Sequence, residues 1–299
     1  MRRAVLALGL LILFAASGRQ ALAQSQPAED QQSILAKVIS RVLSSPEGLV
    51  RIGAIDGALT SDAMIRDIVV SDRDGPWLRI DRTRIIWRRA ALLLRRLEVD
   101  RLDIGRIEVL RRPAASDAPQ SADEPLVPEL PVKLEIKALT VQELVLSAEV
   151  AGAGARLSIT GRASLGKPAD GLDAELTARR LDAEGESRIL VKFVPKGDVL
   201  DLVVGHREAA GGLIGHLIDI PDRPPVVLDL KGQGPLDSWN ADLAFAAGTV
   251  ASARGTARIL KADRGRRADL DLSGTLEGLL PPLAATIFAG TTRVSGQVD

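Results

Sequence analysis

The sequence predicts a mainly β protein: a long, curved, antiparallel sheet of short strands, solenoid-like, with a few short helices and an N-terminal apolar helix. Three observations carry this. From Leu49 onward, short runs alternate aliphatic and polar residues with a period of two. Turn residues punctuate nearly every gap, as in Asp74-Gly75-Pro76, Lys196-Gly197-Asp198 and Gly234-Pro235-Leu236-Asp237. And two segments repeat an apolar-x-apolar-x-x pentad, which a flat strand cannot accommodate.

The elements follow in order. Residues 1–23 have the layout of an export signal: basic Arg2-Arg3, an apolar run from Ala4 to Ala16, then Ala21-Leu22-Ala23 with small residues at the −3 and −1 positions. Thirteen apolar residues at ~1.5 Å each reach about 20 Å, short of a ~30 Å hydrocarbon core. Cleavage after Ala23 is one reading and an uncleaved signal-anchor the other; both take the rest of the chain out of the cytoplasm. Residues 24–48 form a polar spacer and an amphipathic helix, in which Ile34, Leu35, Val38, Ile39, Val42 and Leu43 make one apolar stripe. Residues 49–112 are a first β segment, 113–131 a Pro-rich and acidic linker, and 132–299 a run of β-groove repeats.

Strands are expected at Leu49–Ile55, Met64–Ser71, Leu78–Trp87, Val132–Ala151, Ala155–Ser164, Asp173–Ala178, Arg188–Val194, Val199–Gly205, Val226–Gly232, Ala241–Ala246, Ala251–Leu260 and Ala268–Leu276. Short helices are expected at Arg89–Arg96, Gly211–Ile218 and Pro282–Phe288. The chain stops within what reads as one further strand from Thr291, so it is expected to be part of a longer protein or to pair at that end.

The pentads are Leu97/Val99, Leu102/Ile104 and Ile107/Val109, then Leu134/Ile136, Leu139/Val141 and Leu144/Leu146. A five-residue step reverses strand parity once per unit, so the chain must bulge or bend at each step to keep the pairs on one side. Leu97, Val99, Leu102, Ile104, Ile107, Val109, Leu139, Val141, Leu144 and Leu146 are therefore candidates for lining a groove.

No constellation for catalysis, metal or cofactor binding emerges. Cysteine is absent, which removes disulfides and thiolate chemistry. His206 and His216 stand ten residues apart with no zinc-site spacing. No Gly-x-Ser-x-Gly elbow or phosphate loop is present, and Gly232-Gln233-Gly234 reads as a turn. Asp229, Asp242, Asp269 and Asp271 alternate with aliphatics, as a solvated sheet face does. Lys plus Arg and Asp plus Glu balance at 39 each, and Tyr is missing, which argues against nucleic acid as a partner. The one local imbalance is Arg79–Arg112, with eleven Arg against five acids. It is either a basic collar for anionic head groups, with Arg88, Arg89, Arg95 and Arg96 as candidate membrane-proximal residues, or an outward strand face whose acidic partners lie elsewhere.

Several stretches resemble TamB-type (translocation and assembly module) proteins of the AsmA-like superfamily. These are Pro46-Glu47-Gly48-Leu49-Val50-Arg51-Ile52, Ile55-Asp56-Gly57-Ala58-Leu59, Trp77-Leu78-Arg79-Ile80-Asp81, the Leu97–Val109 ladder closed by Arg111-Arg112-Pro113, and Gly232-Gln233-Gly234-Pro235-Leu236-Asp237-Ser238-Trp239. The resemblance implies a periplasmic protein anchored at the inner membrane, whose taco-like β-groove takes phospholipid acyl chains. It implies roles in lipid transport between the membranes and in outer-membrane protein assembly and secretion with a barrel partner. A scaffold that pairs with the barrel and carries no lipid is the alternative. Such members are longer and end in a distinct C-terminal domain. A sheet with one aliphatic face needs a cover, and an acyl chain supplies one at roughly 0.8 kcal/mol per CH₂ removed from water.

Overall fold

The computed structural model describes residues 49–57, 60–114, 133–166, 171–261, 266–275 and 292–298. The expected signal, the amphipathic helix, most of the linker and the Pro282–Phe288 helix lie outside them. The chain falls into two compact units, residues 1–150 with 158–170 and residues 151–157 with 171–299, so the division passes through one strand.

The first unit carries β1 (Leu49–Asp56), β2 (Asp62–Asp72), β3 (Gly75–Arg88), a one-turn helix α1 (Arg89–Leu92), β4 (Arg96–Val109) and β5 (Lys133–Leu146). A second short helix, α2 (Ala148–Ala151), and β6 (Ala155–Leu165) straddle the division. The second unit continues with β7 (Leu172–Arg180), β8 (Gly185–Val194), β9 (Val199–Glu208), α3 (Leu213–Leu217), β10 (Val226–Gln233), β11 (Ser238–Ala247), β12 (Ala251–Lys261), β13 (Arg266–Thr275) and β14 (Thr292–Val298). Every strand lies beside its neighbour in the chain, in the order β1 to β14, and β1 and β14 do not pair to close the sheet into a barrel. Mainly β architecture in an open sheet, with a few short helices, is what the alternation and turn spacing predict.

Turn chemistry sets the hairpins. Gly75 takes φ 103° after β2, and Asp74 N donates to Asp72 Oδ1 at 2.9 Å. Between β8 and β9, Asp198 N donates to Pro195 O (3.1 Å), and Gly197, the third residue of that turn, takes φ 89°, which glycine adopts without strain.

Three expectations are corrected. The sheet is not antiparallel throughout, because β4 and β5 pair in parallel. Chain direction across a connection is not encoded in local alternation, so the pattern of each strand was legible and its orientation was not. The expected Val132–Ala151 strand ends at Leu146, where Ser147 starts a helical turn by accepting from Val150 N through its Oγ (3.3 Å) and its carbonyl (3.1 Å). Gly232 and Gln233 belong to β10 and form no turn there. Gly232 is needed for space, since a Cβ on it would stand 2.0 Å from Trp239 Cζ2.

In the first unit, the inner face is sealed. Ala63, Ile65, Ile68 and Val70 of β2 and Trp77, Ile80, Thr83, Ile85 and Trp87 of β3 are all buried. The outer face is charged. In the second unit a small core of Ile220, Val226, Ala247 and Ala251 packs where α3 and its following loop meet the sheet.

Candidate functional site

The ten candidate groove residues sit on β4 and β5, side by side. The parallel register holds one unbroken offset from Arg96↔Lys133 to Val109↔Leu146. Each pentad of β4 therefore lies against a pentad of β5: Leu102↔Leu139, Ile104↔Val141, Ile107↔Leu144 and Val109↔Leu146, with Leu97 and Val99 against Leu134 and Ile136. Directly opposed residues share a face. Eight of the ten are buried, and Leu102 and Ile104 remain half-buried.

The parity reversals fall on common levels. The pairing steps from Ile52↔Ile68 to Ala54↔Arg66, from Ile68↔Ile80 to Arg66↔Arg82, from Ile80↔Ile107 to Thr83↔Ile104, and from Ile104↔Val141 to Arg106↔Glu143. One crease thus crosses five strands. Asp67 takes φ 55° on it, and Asp81 Oδ1 accepts from Arg106 N at 2.7 Å, standing in for a ladder partner. Gly105 leaves room for this, because a Cβ there would lie 2.8 Å from Asp81 Oδ1 and 2.7 Å from Arg82 Nε. A second break in the register is a bulge between Ile86 and Trp87, opposite Asp100. The pentads required such devices.

On the outer face, the arginine-rich stretch finds its acids on the same strand and on neighbouring strands. Arg84 pairs with Asp62 (2.6 Å), Arg88 Nε with Asp100 (3.2 Å), Lys137 with Asp100 (2.7 Å), Arg96 with Glu98 (3.6 Å), and Arg106 with Glu108 and Glu143 (2.9 Å each). Hydrogen bonds from Lys137 and Arg88 hold the Asp100 carboxyl below its ordinary range, and Arg84 does the same to Asp62. Of the four candidate membrane-proximal residues, Arg88 and Arg96 are drawn onto this face. Arg89 opens α1, and Arg95 is exposed with φ 56°.

The second unit supplies a surface that the pentads drew attention away from. Following the register from β7 to β13, Leu176, Ile189, Val204, Leu230, Leu243, Gly255 and Leu272 form one transverse row. Beside it runs Ala174, Val191, Leu202, Gly232, Ala241, Ala257 and Leu270. In the first row Ile189, Val204, Leu230, Leu243 and Leu272 are only half-buried. Six strand spacings of ~4.8 Å make a strip about 29 Å long. On the opposite face the same register aligns Glu175, Leu190, Val203, Lys231, Asp242, Thr256 and Asp271, polar except for the two aliphatics of β8 and β9. The signal was present in the alternation of β7–β13, but no unusual spacing marked it.

Both histidines are in this unit. His206 Nδ1 is 2.7 Å from Ser187 Oγ, and its Nε2 is 3.1 Å from Glu208 Oε2, off the direction of a hydrogen bond. Glu208 is buried and accepts from Ile214 N (3.1 Å) and Gly215 N (3.0 Å). Burial pushes its carboxyl up, but His206 and the two amides outweigh that and hold it below the usual range. The arrangement ties α3 to β9. Among the described residues, no group of three or more His, Asp or Glu gathers as a metal site, and no helix is long and apolar enough to cross a membrane.

Among known families, the chain matches the model of the YdbH-like family, described as intermembrane phospholipid transport protein YdbH, over residues 33–292. Neither a curated protein nor a solved structure matches it.

Proposed function

The chain belongs to the YdbH-like intermembrane phospholipid transport family, within the AsmA-like group, and from that premise we propose that it carries phospholipid across the periplasm along the apolar rows of its second unit. The observation that supports this most is the half-buried row Ile189, Val204, Leu230, Leu243 and Leu272, which keeps one face aliphatic over five of the seven strands. Burying such a face against acyl chains returns roughly 25 cal/mol per Å² of apolar surface. In the first unit, eight of the ten candidate groove residues on β4 and β5 are buried, so the pentad face is left out of this reading. The family is one of transport, and no catalytic step is part of this reading.

The test is to purify the full chain, extract it and measure bound phospholipid by mass spectrometry. Val204→Asp with Leu230→Asp should lower the bound lipid at least tenfold while strand content by circular dichroism is retained. Wild-type protein free of stoichiometric phospholipid, or a double variant that binds as much as wild type, overturns the reading.

A TamB-type role in outer-membrane protein assembly is supported by a separate feature. The outer edge of β1 has no strand beside it among the described residues, and Leu49 on it is 65% exposed. Such an edge can accept a strand from a barrel protein. A photocrosslinker at Arg51 that captures no barrel protein in cells would remove this role and leave lipid transport untouched.

A further inference from the structure

Leu93 and Leu94, in the turn between α1 and β4, are 84% and 71% exposed, more than any other large hydrophobic residue described. The turn holds them out. Leu94 N donates to Ala91 O (3.0 Å), Arg95 N to Leu92 O (2.9 Å), and Lys133 N of β5 to Arg95 O (3.0 Å). Immediately before them, Ala91 and Leu92 are buried, so the chain has already placed its inward-facing residues. The segment Arg88–Arg96 contains four arginines and no acid. Asp100 and Glu98 draw Arg88 and Arg96 back onto the sheet, whereas exposed Arg95 directly follows the two leucines.

Two adjacent aliphatic side chains in water, collared by cations, need a surface that offers hydrocarbon and negative charge within a few ångströms of each other. The boundary between head groups and acyl chains of an anionic bilayer offers both. We propose that the Leu93–Leu94 turn is a membrane-contact tip, which seats its leucines among the acyl chains of an anionic phospholipid bilayer while Arg95 meets the phosphates. A second copy of the chain would supply the hydrocarbon and not the charge, since it brings the same arginines to the contact. The tip is distinct from the lipid-facing rows of the second unit, and its failure would leave them standing.

The absence of cysteine allows a direct test on the full chain. Leu94→Cys and, as a control, Asp201→Cys on the exposed side of β9 are labelled with an environment-sensitive fluorophore. Each is mixed with vesicles of phosphatidylcholine and phosphatidylglycerol carrying an acyl-chain quencher. The label at position 94 should be quenched and the label at 201 should not. Removing phosphatidylglycerol should weaken quenching at 94 about fivefold for each arginine engaged. In unlabelled protein, Leu93→Ser with Leu94→Ser should lower vesicle affinity about tenfold or more without altering strand content. Equal quenching at the two positions, or unchanged affinity in the serine variant, overturns the proposal. So does burial of the 94 label without vesicles that rises with protein concentration, which would mark a contact between copies.

Discussion

Asp72 closes the end of the β2–β3 hairpin through three partners. It pairs with Arg111 and accepts from Ala114 N (2.7 Å) and Asp74 N (2.9 Å), while Arg111 also donates to Gly75 O (2.6 Å). The Arg111 hydrogen bonds, with those two amides, hold its carboxyl well below the ordinary carboxylate range. The unfolded group titrates near ~4. Its stabilisation is therefore fully present above that pH and fades as the pH falls towards the folded value. Asp72→Asn should lower the urea midpoint at pH 7, and the gap from wild type should close progressively below about pH 4. A gap that stays constant with pH would mean that the charge is not what matters. Glu208 makes a comparable link in the second unit. Glu208→Ala leaves the amides of Ile214 and buried Gly215 without their acceptor, and should cost about 3 kcal/mol of unfolding free energy. Glu208→Gln should cost less, because one carbonyl oxygen survives. Equal losses in the two variants would argue that packing of the side chain, not its acceptor atoms, holds α3.

Among the elements, β4 and β5 impose the strictest geometric demand. Their parallel pairing means that the chain leaves β4 at Val109 and enters β5 at Lys133, beside Arg96. A strand from Arg96 to Val109 rises about 43 Å at ~3.3 Å per residue, so residues 110–132 must bridge that distance. About 13 fully extended residues are the minimum. Because Ala114 N is held by Asp72 at the Val109 end, trimming residues 115–132 to 16 should leave strand content and thermal midpoint close to wild type, and trimming them to ten should abolish the parallel pair. Crosslinking of paired cysteines placed at Asp103 and Thr140 reads the outcome. Much at this scale was legible beforehand. Expected runs such as Leu49–Ile55, Leu78–Trp87 and Ala251–Leu260 became β1, β3 and β12 because a strand with one buried face writes that fact locally, every second residue. The need to bend at each pentad was legible for the same reason. The pairing of one pentad strand with the other was not, since it depends on the path of a distant connection. Nor was the extent of α1 within the expected Arg89–Arg96 helix. Arg96, Leu97 and Glu98 gain a full ladder by joining β4, which outweighs helix propensity. The transverse row of the second unit escaped notice because its members are spread over seven strands, and only the register brings them together.

For the molecule taken whole, the ordering of strands governs stability. Each strand lies between its neighbours in the chain, so contacts are local and energies add nearly one strand at a time, as in repeat proteins. Removing residues 262–299, and with them β13 and β14, should leave β1–β12 folded. The circular dichroism signal should fall only in proportion to the strands lost. Collapse of the whole signal on that truncation would show instead a single cooperative core. The same arrangement leaves a mark on how such a protein can change over generations. A gene that copies one hairpin in place adds two ribbons, returns the chain to its former heading, and keeps the oily side facing as before. The number of strands can therefore be adjusted by duplication or loss of hairpins without redesigning any residue elsewhere.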